Sequence, residues 1–144
     1  MVRRRAREMA LQGLYAAHVA GGKGDQIVKF VVSTAEDPPP EEARQYCKRL
    51  LVNTLDRLDW AKTVIAAKLE NWDFDRVALI DQLIMELALV EMVYFDEVPL
   101  KVSISEAIEI AKRYSTDDSS GFVNGILDAL YHDILNGRLT ERSE

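Results

Sequence analysis

The 144-residue sequence has one cysteine and no long hydrophobic run. A lone thiol, Cys47, cannot form an internal disulfide, which favours a reducing compartment, and we expect the cytoplasm. The apolar runs are too short to cross a membrane, and no apolar segment follows the N-terminal arginines as it would in a secretory signal. The remaining composition, 48% hydrophobic and 29% charged residues, is typical of a globular protein.

Motifs for catalysis or metal binding are also missing. The sequence has no Walker-type loop, dinucleotide fingerprint or paired-cysteine spacing, and its two histidines, His18 and His132, are far apart. Cys47 lies in an apolar-periodic stretch without a neighbouring base, so we interpret it as a packed thiol. The sequence therefore predicts a protein that is not an enzyme and that needs no cofactor or metal.

Positive charge is scarce except at the N-terminus. The formal net charge is -6, yet residues 1–7 contain four arginines and no acid. Of the 18 Lys and Arg residues this leaves 14, against 24 Asp and Glu. A cationic patch on an acidic body can hold a polyanion at one place. The alternative is that these arginines are simply solvated, although cations are disfavoured at a helix N-terminus.

Helical periodicity extends over most of the chain and predicts an all-α fold of about seven helices. The predicted helices run from Arg3 to about Val19, Asp25 to Ala35, Glu41 to Leu69 with a break at Asp59, Arg76 to Phe95, Ser103 to Tyr114, and Ser120 to Asn136. We expect Asp73 or Asp75 to cap the long apolar helix, and "SISE" at 103–106 to form a capping box.

Small residues indicate where helices approach closely. Ala6, Ala10, Gly13 and Ala17 form a stripe on the first helix, so we attribute Gly13 to packing. Gly121 and Gly125 suggest a second close-packing face on the last helix, and Gly137 suits its C-terminal end.

Two stretches carry candidate binding residues. Arg3 stands one turn from Arg7, while Arg4, Arg7 and Tyr15 follow one side of the first helix, where guanidinium groups can grip phosphates. Tyr15 is either a platform for a base or a core residue. Phe122, near the polar start of the last helix, leaves the same two alternatives open.

Two sequence stretches, "RRRAREMALQGLY" and "DEVPLKVSISEAIEIAKRYSTDDSSGFVNGIL", resemble the NusB family of bacterial transcription antitermination factors. The match is close at both ends and in the second half, whereas residues 20 to 70 agree only in length and helical character. The resemblance implies a single RNA-binding domain over 1–144 with helical subdomains at roughly 1–72 and 73–144. It also implies binding of boxA-type single-stranded RNA together with a small-subunit ribosomal protein that acts as NusE. Such complexes help RNA polymerase to read through terminators, notably in ribosomal RNA operons.

The resemblance also implies roles for individual residues. The expected RNA-binding residues are Arg3, Arg4, Arg7, Gln12, Tyr15, Asp118 and Phe122. Among them, the arginines would contact phosphates and Phe122 would stack on a base. Asp81 matches an acidic family position that faces the ribosomal protein.

Three departures from the family pattern lower the positive or polar capacity of the second half. Gly121 replaces a frequent lysine, Glu86 an arginine, and Ser105 an asparagine. We therefore expect the N-terminal arginines to carry most of the phosphate contact.

Two other interpretations of the sequence remain. One is a helical protein–protein interaction module, such as a homodimer that hides its RNA-binding face. The other, which we rank last, is a detached RNA-binding domain of the kind fused to ribosomal RNA cytosine methyltransferases.

Overall fold

The computed structural model describes residues 2–69 and 73–139. These residues form seven α-helices and one short 3-10 turn, and none of them is in a strand. The elements are α1 (Val2–Ala20), α2 (Gly24–Thr34), α3 (Glu41–Asp56), α4 (Leu58–Ala66), the 3-10 turn (Phe74–Arg76), α5 (Leu79–Tyr94), α6 (Leu100–Tyr114) and α7 (Asp117–Leu135). The predicted all-α class is confirmed, as is the break in the third predicted helix.

The chain divides into two units, Met1–Arg57 and Leu58–Glu144. The first contains α1 to α3 and the second contains α4 to α7. The sequence predicts a division near residue 72, which lies outside the described residues. In the structure α4 belongs to the second unit, because it packs against α5 and the 3-10 turn.

The core of the first unit lies between α1, α2 and α3. Ala6 and Ala10 are fully buried on the inner side of α1. A Cβ atom at Gly13 would lie 2.7 Å from Cδ2 of Leu51 and 3.2 Å from Cγ2 of Ile27. Real Cβ atoms essentially never come within 3.0 Å of another atom, so the absence of a side chain at Gly13 lets α1 approach α3 at Leu51. The packing interpretation is confirmed.

Cys47 lies inside this core. Its side chain is fully buried on α3. Burial raises the pKa of the thiol from 9.0 to about 12, because the thiolate would lose its hydration. The prediction of a packed thiol rather than a nucleophile is therefore confirmed.

The second unit is built around α5. All residues from Asp81 to Val93 are buried, and α4, α6 and α7 each pack against this helix. A helix that is apolar on every side is stable only when it is surrounded by other elements. Three carboxylates, those of Asp81, Glu86 and Glu91, nevertheless lie within it. Glu91 accepts a hydrogen bond of 2.7 Å from Ser103 Oγ, and Glu86 lies 3.1 Å from Lys62 Nζ.

Both predicted caps in this unit are wrong. Helix α5 begins at Leu79, and the capping position is Ala78 rather than Asp73 or Asp75. Helix α6 begins at Leu100, directly after Pro99. Ser103 is consequently inside the helix, where its hydroxyl is turned to Glu91 instead of to the helix end.

The predicted second close-packing face is also wrong. Gly121 and Gly125 are exposed on α7, and a Cβ atom at either would meet nothing within 4 Å. Gly137, in contrast, follows the end of α7 with a φ of 74°, as its predicted role requires. Within the described ranges, no helix combines the length and apolarity needed to span a membrane.

Candidate nucleic-acid interface

The N-terminal arginines have different surroundings along the first turns of α1. Arg3 is exposed, Arg4 is half-buried, and Arg7 is only 6% exposed. The first turn of the helix contains no acidic residue that would offset their charge. The predicted arginine face is therefore an outer pair, Arg3 and Arg4, with Arg7 lying deeper.

Tyr46 on α3 connects two of these arginines. The guanidinium carbon of Arg3 lies 5.0 Å from the centre of the Tyr46 ring, and that of Arg7 lies 5.8 Å from it. Both distances are in the range of cation–π contacts. Periodicity predicts that Tyr46 is buried, but a pattern within α3 contains no signal for its contact with α1.

Arg5 has a separate role. Its guanidinium donates a hydrogen bond to the backbone carbonyl of Asp37, in the proline-rich segment that precedes α3. This arginine thus connects α1 to a connecting segment of its own unit.

The two remaining candidates on α1 are at the surface. Gln12 is exposed, and Tyr15 is 47% exposed. Tyr15 is therefore not a core residue. Because Gln12 and Tyr15 are three positions apart, they lie on the same side of the helix. The polar face of α1 accordingly continues from Arg4 to a surface aromatic ring.

The three candidates of the second unit come together at one cavity of about 300 Å³. Asp81, Asp118 and Phe122 all line it, together with Arg76, Val77, Ala78 and Ser119. Asp118 is exposed and Phe122 is half-buried. Asp81 is only 4% exposed, and its Oδ1 has no hydrogen-bond partner in the structure as described. The sequence does not show that the expected partner residue and the expected RNA residues share a cavity.

Glu86, one of the three departures from the family pattern, does not contribute to the protein surface. Its side chain is fully buried beside Lys62. Burial raises the pKa of this carboxyl above its ordinary value of 4.5, against the lowering effect of Lys62. The expectation that Glu86 reduces positive capacity is thus corrected: the residue lies in the interior, where Lys62 pairs with it. Gly121 is exposed, so the loss of a cation there does concern the surface.

The described residues thus form an all-helical protein with a cationic surface at the start of α1. Across residues 2–69 and 73–139, no three or more His, Cys, Asp and Glu side chains are grouped so that they could hold a metal ion.

Comparison with known proteins identifies the family. The pattern of the NusB family matches residues 4–132. Transcription antitermination protein NusB of Chloroherpeton thalassium is 43% identical over 142 residues, which are 98% of this chain and 66% of that protein. The corresponding protein of Salinibacter ruber is 40% identical over 140 residues, covering 96% and 87% of the two chains. The chain belongs to the NusB family.

Solved structures agree with this assignment. NusB of T. maritima superimposes with a TM-score of 0.79 at 31% identity, covering 88% of each chain. NusB in a complex of the antitermination factors NusB and NusE with dsRNA gives a TM-score of 0.82 over 91% of this chain and 96% of that one. The identity to this second structure is 22%, so the likeness there is one of fold.

Proposed function

We propose that the chain is a transcription antitermination factor that binds boxA-type single-stranded RNA together with a small-subunit ribosomal protein acting as NusE. In this role it binds and carries out no catalysis, and it acts in the cytoplasm to help RNA polymerase read through terminators, notably in ribosomal RNA operons. Relatives over nearly the whole chain are named transcription antitermination proteins. A NusB of the same fold occurs in a complex with NusE and dsRNA.

The observation that carries the RNA-binding part is the concentration of arginines on an acidic chain. Four of the first seven residues are arginine, while the formal net charge of the chain is -6. Arg3 and Arg4, the outer pair, make the phosphate contacts in this proposal, and Arg7 adds positive charge from a deeper position. Attraction is thereby limited to one end of α1, and the acidic remainder discourages non-specific adhesion.

Surface aromatic and polar groups supply the base contacts. Tyr15 presents an exposed ring, and Gln12 presents an amide on the same side of α1. In the second unit, Phe122 at the 300 Å³ cavity offers another ring, with the Asp118 carboxylate nearby. Stacking on such rings is favourable for single strands, because their bases are not paired.

Asp81 is assigned to the ribosomal protein. A buried carboxylate oxygen without a donor is costly, so this position favours a partner that brings a donor. The cavity is lined by two carboxylates, of Asp81 and Asp118, and by one cation, Arg76. Because the acids outnumber the cation, a cationic or neutral donor from a protein suits the cavity better than a phosphate.

Binding of a short boxA-like single strand across a salt series tests the proposal. We expect Arg3→Ala and Arg4→Ala each to weaken binding and to reduce the slope of log K against log salt by about one. Arg44→Ala is the matched control, because Arg44 is an exposed arginine of the same unit that pairs with Glu41. If the Arg3→Ala/Arg4→Ala double variant binds RNA as well as the wild type does, the RNA-binding proposal is wrong.

The same titration with the ribosomal protein added tests whether Asp81 contacts that protein. Asp81→Asn should lower affinity for that protein about tenfold or more, and leave binding of RNA alone unchanged. Asp59→Asn, an exposed substitution of the same kind in the second unit, should change neither.

The homodimer alternative rests on exposed apolar side chains of the first unit. Val19 on α1 is 65% exposed and Phe30 on α2 is 56% exposed. Sedimentation of the protein alone measures this state. If the dimer masks the RNA-binding face, the affinity for RNA should fall as the protein concentration rises.

A further inference from the structure

The positions of Arg3 and Arg7 are unfavourable for the stability of α1 when this helix is considered on its own. They carry like charges one turn apart, an arrangement that destabilises an isolated helix. They also lie near the N-terminus of α1, where the helix dipole disfavours cations and no acidic residue occupies the first turn. Some other group must offset these two effects.

Tyr46 provides such a group. Its ring lies within 5.0 Å of the Arg3 guanidinium carbon and 5.8 Å of the Arg7 guanidinium carbon. Tyr46 is 8% exposed and Arg7 is 6% exposed, so the contact between them is largely removed from water. Cation–π attraction is stronger in such a desolvated setting than at the surface.

The two arginines differ in what they can reach. Arg7 is buried beside the ring, whereas Arg3 is exposed at it. We propose that Tyr46 is a positioning residue that holds the Arg3 guanidinium in place for a phosphate of the RNA, with Arg7 as a cation behind it. This inference rests on the proposed function and adds a residue that the family resemblance did not supply.

The physical advantage is preorganisation. A free arginine at a helix start loses side-chain entropy when it binds a phosphate. An arginine already stacked on a ring has lost part of that freedom, so more of the contact energy contributes to affinity. Tyr46 thus affects RNA binding without touching the RNA and without carrying charge.

The first test compares two substitutions at one position. Tyr46→Leu should weaken binding of a boxA-like single strand about fivefold and flatten its salt dependence, although no charge is removed. Tyr46→Phe keeps the ring and should restore both affinity and slope. Equal binding by Tyr46→Leu and the wild type would overturn the proposal, as would a Tyr46→Phe variant as weak as Tyr46→Leu.

A double-mutant cycle separates positioning from general stability. If Tyr46 acts through Arg3, then Tyr46→Leu should add little further loss in an Arg3→Ala background. In a Gln12→Ala background, where an exposed polar side chain of the same helix is removed, its full effect should persist. A loss of the same size in both backgrounds would show a merely structural role.

The wild-type protein gives a measurement that does not depend on whether Tyr46→Leu folds. The guanidinium NMR signals of Arg3 and Arg7 should be displaced by the Tyr46 ring current, and the Arg3 signal should move when the RNA is added. An unmoved Arg3 signal, with changes elsewhere, overturns the positioning role but leaves the proposed function in place. Absence of RNA binding by the wild type overturns both.

Discussion

Individual residues of α5 show how a buried helix accommodates acids. Glu91 is satisfied by a hydroxyl of α6, through the 2.7 Å bond from Ser103. Glu86 has its Oε2 atom beside Lys62, while its Oε1 has no hydrogen-bond partner within the described structure. Burial outweighs the attraction to Lys62, so the pKa of Glu86 is raised.

This raised pKa predicts a pH dependence of stability. The folded protein holds the Glu86 proton more tightly than the unfolded chain does, so the contribution of Glu86 is fully present below pH 4.5. It is lost as pH rises through the raised pKa. Relative to Glu86→Gln, the wild type should therefore lose unfolding free energy as pH rises above 4.5 and through the raised pKa of Glu86.

Denaturant unfolding at several pH values measures this difference. Glu109→Gln, an exposed substitution on α6, serves as the control and should follow the wild type at every pH. A wild type that gains stability relative to Glu86→Gln as pH rises, or that keeps a constant difference from it, would contradict the prediction.

At the scale of helices, replacing glycine by alanine is expected to have opposite effects on stability at two positions. Gly13→Ala places a methyl group 2.7 Å from a side chain of the fully buried Leu51 and should destabilise the protein by about 1–3 kcal/mol. Gly125→Ala meets nothing within 4 Å on α7 and should stabilise the protein by about 0.5–1 kcal/mol, because alanine loses less backbone entropy. Thermal unfolding followed by circular dichroism measures both, and shifts of the same sign would contradict the packing argument.

The helices themselves were largely predictable from the sequence, whereas their ends were less so. Period and composition predict α1 and α5 to within a few residues, because each buries a continuous apolar face. The "SISE" pattern failed because α6 begins three residues earlier, at Leu100, and its serine bonds to Glu91, twelve residues earlier on another helix. A local motif cannot show that a tertiary partner competes for the same hydroxyl.

The candidate site was also only partly predictable from the sequence. Charge counting indicated the N-terminal arginines, because an excess of one sign in seven residues is visible without a structure. It did not show that Arg7 is buried or that Tyr46 lies against it. Nor did spacing reveal that Asp81 and Phe122, 41 positions apart, share a cavity. These relations depend on how helices pack.

For the whole molecule, the distribution of charge limits how strongly RNA can be held. One cation of the family pattern is absent at Gly121, which is exposed on α7. Gly121→Lys should raise affinity for a boxA-like strand about twofold to fivefold, and steepen the salt slope by about one. Filter-binding titrations at several salt concentrations measure both quantities.

The matched control is Gly125→Lys, one turn further along α7 and equally exposed. If the effect belongs to position 121, the control should change the slope much less. Equal gains at the two positions would instead show that any added positive charge suffices.

The bond from Arg5 to the carbonyl of Asp37 bears on how this chain tolerates change. The acceptor belongs to the backbone, so almost any residue except one that distorts the chain can replace Asp37 and keep the contact. An inserted or deleted residue between α2 and α3 would instead move the carbonyl away from Arg5. We therefore expect this contact to restrict the length of the segment between α2 and α3 more than the identity of its side chains.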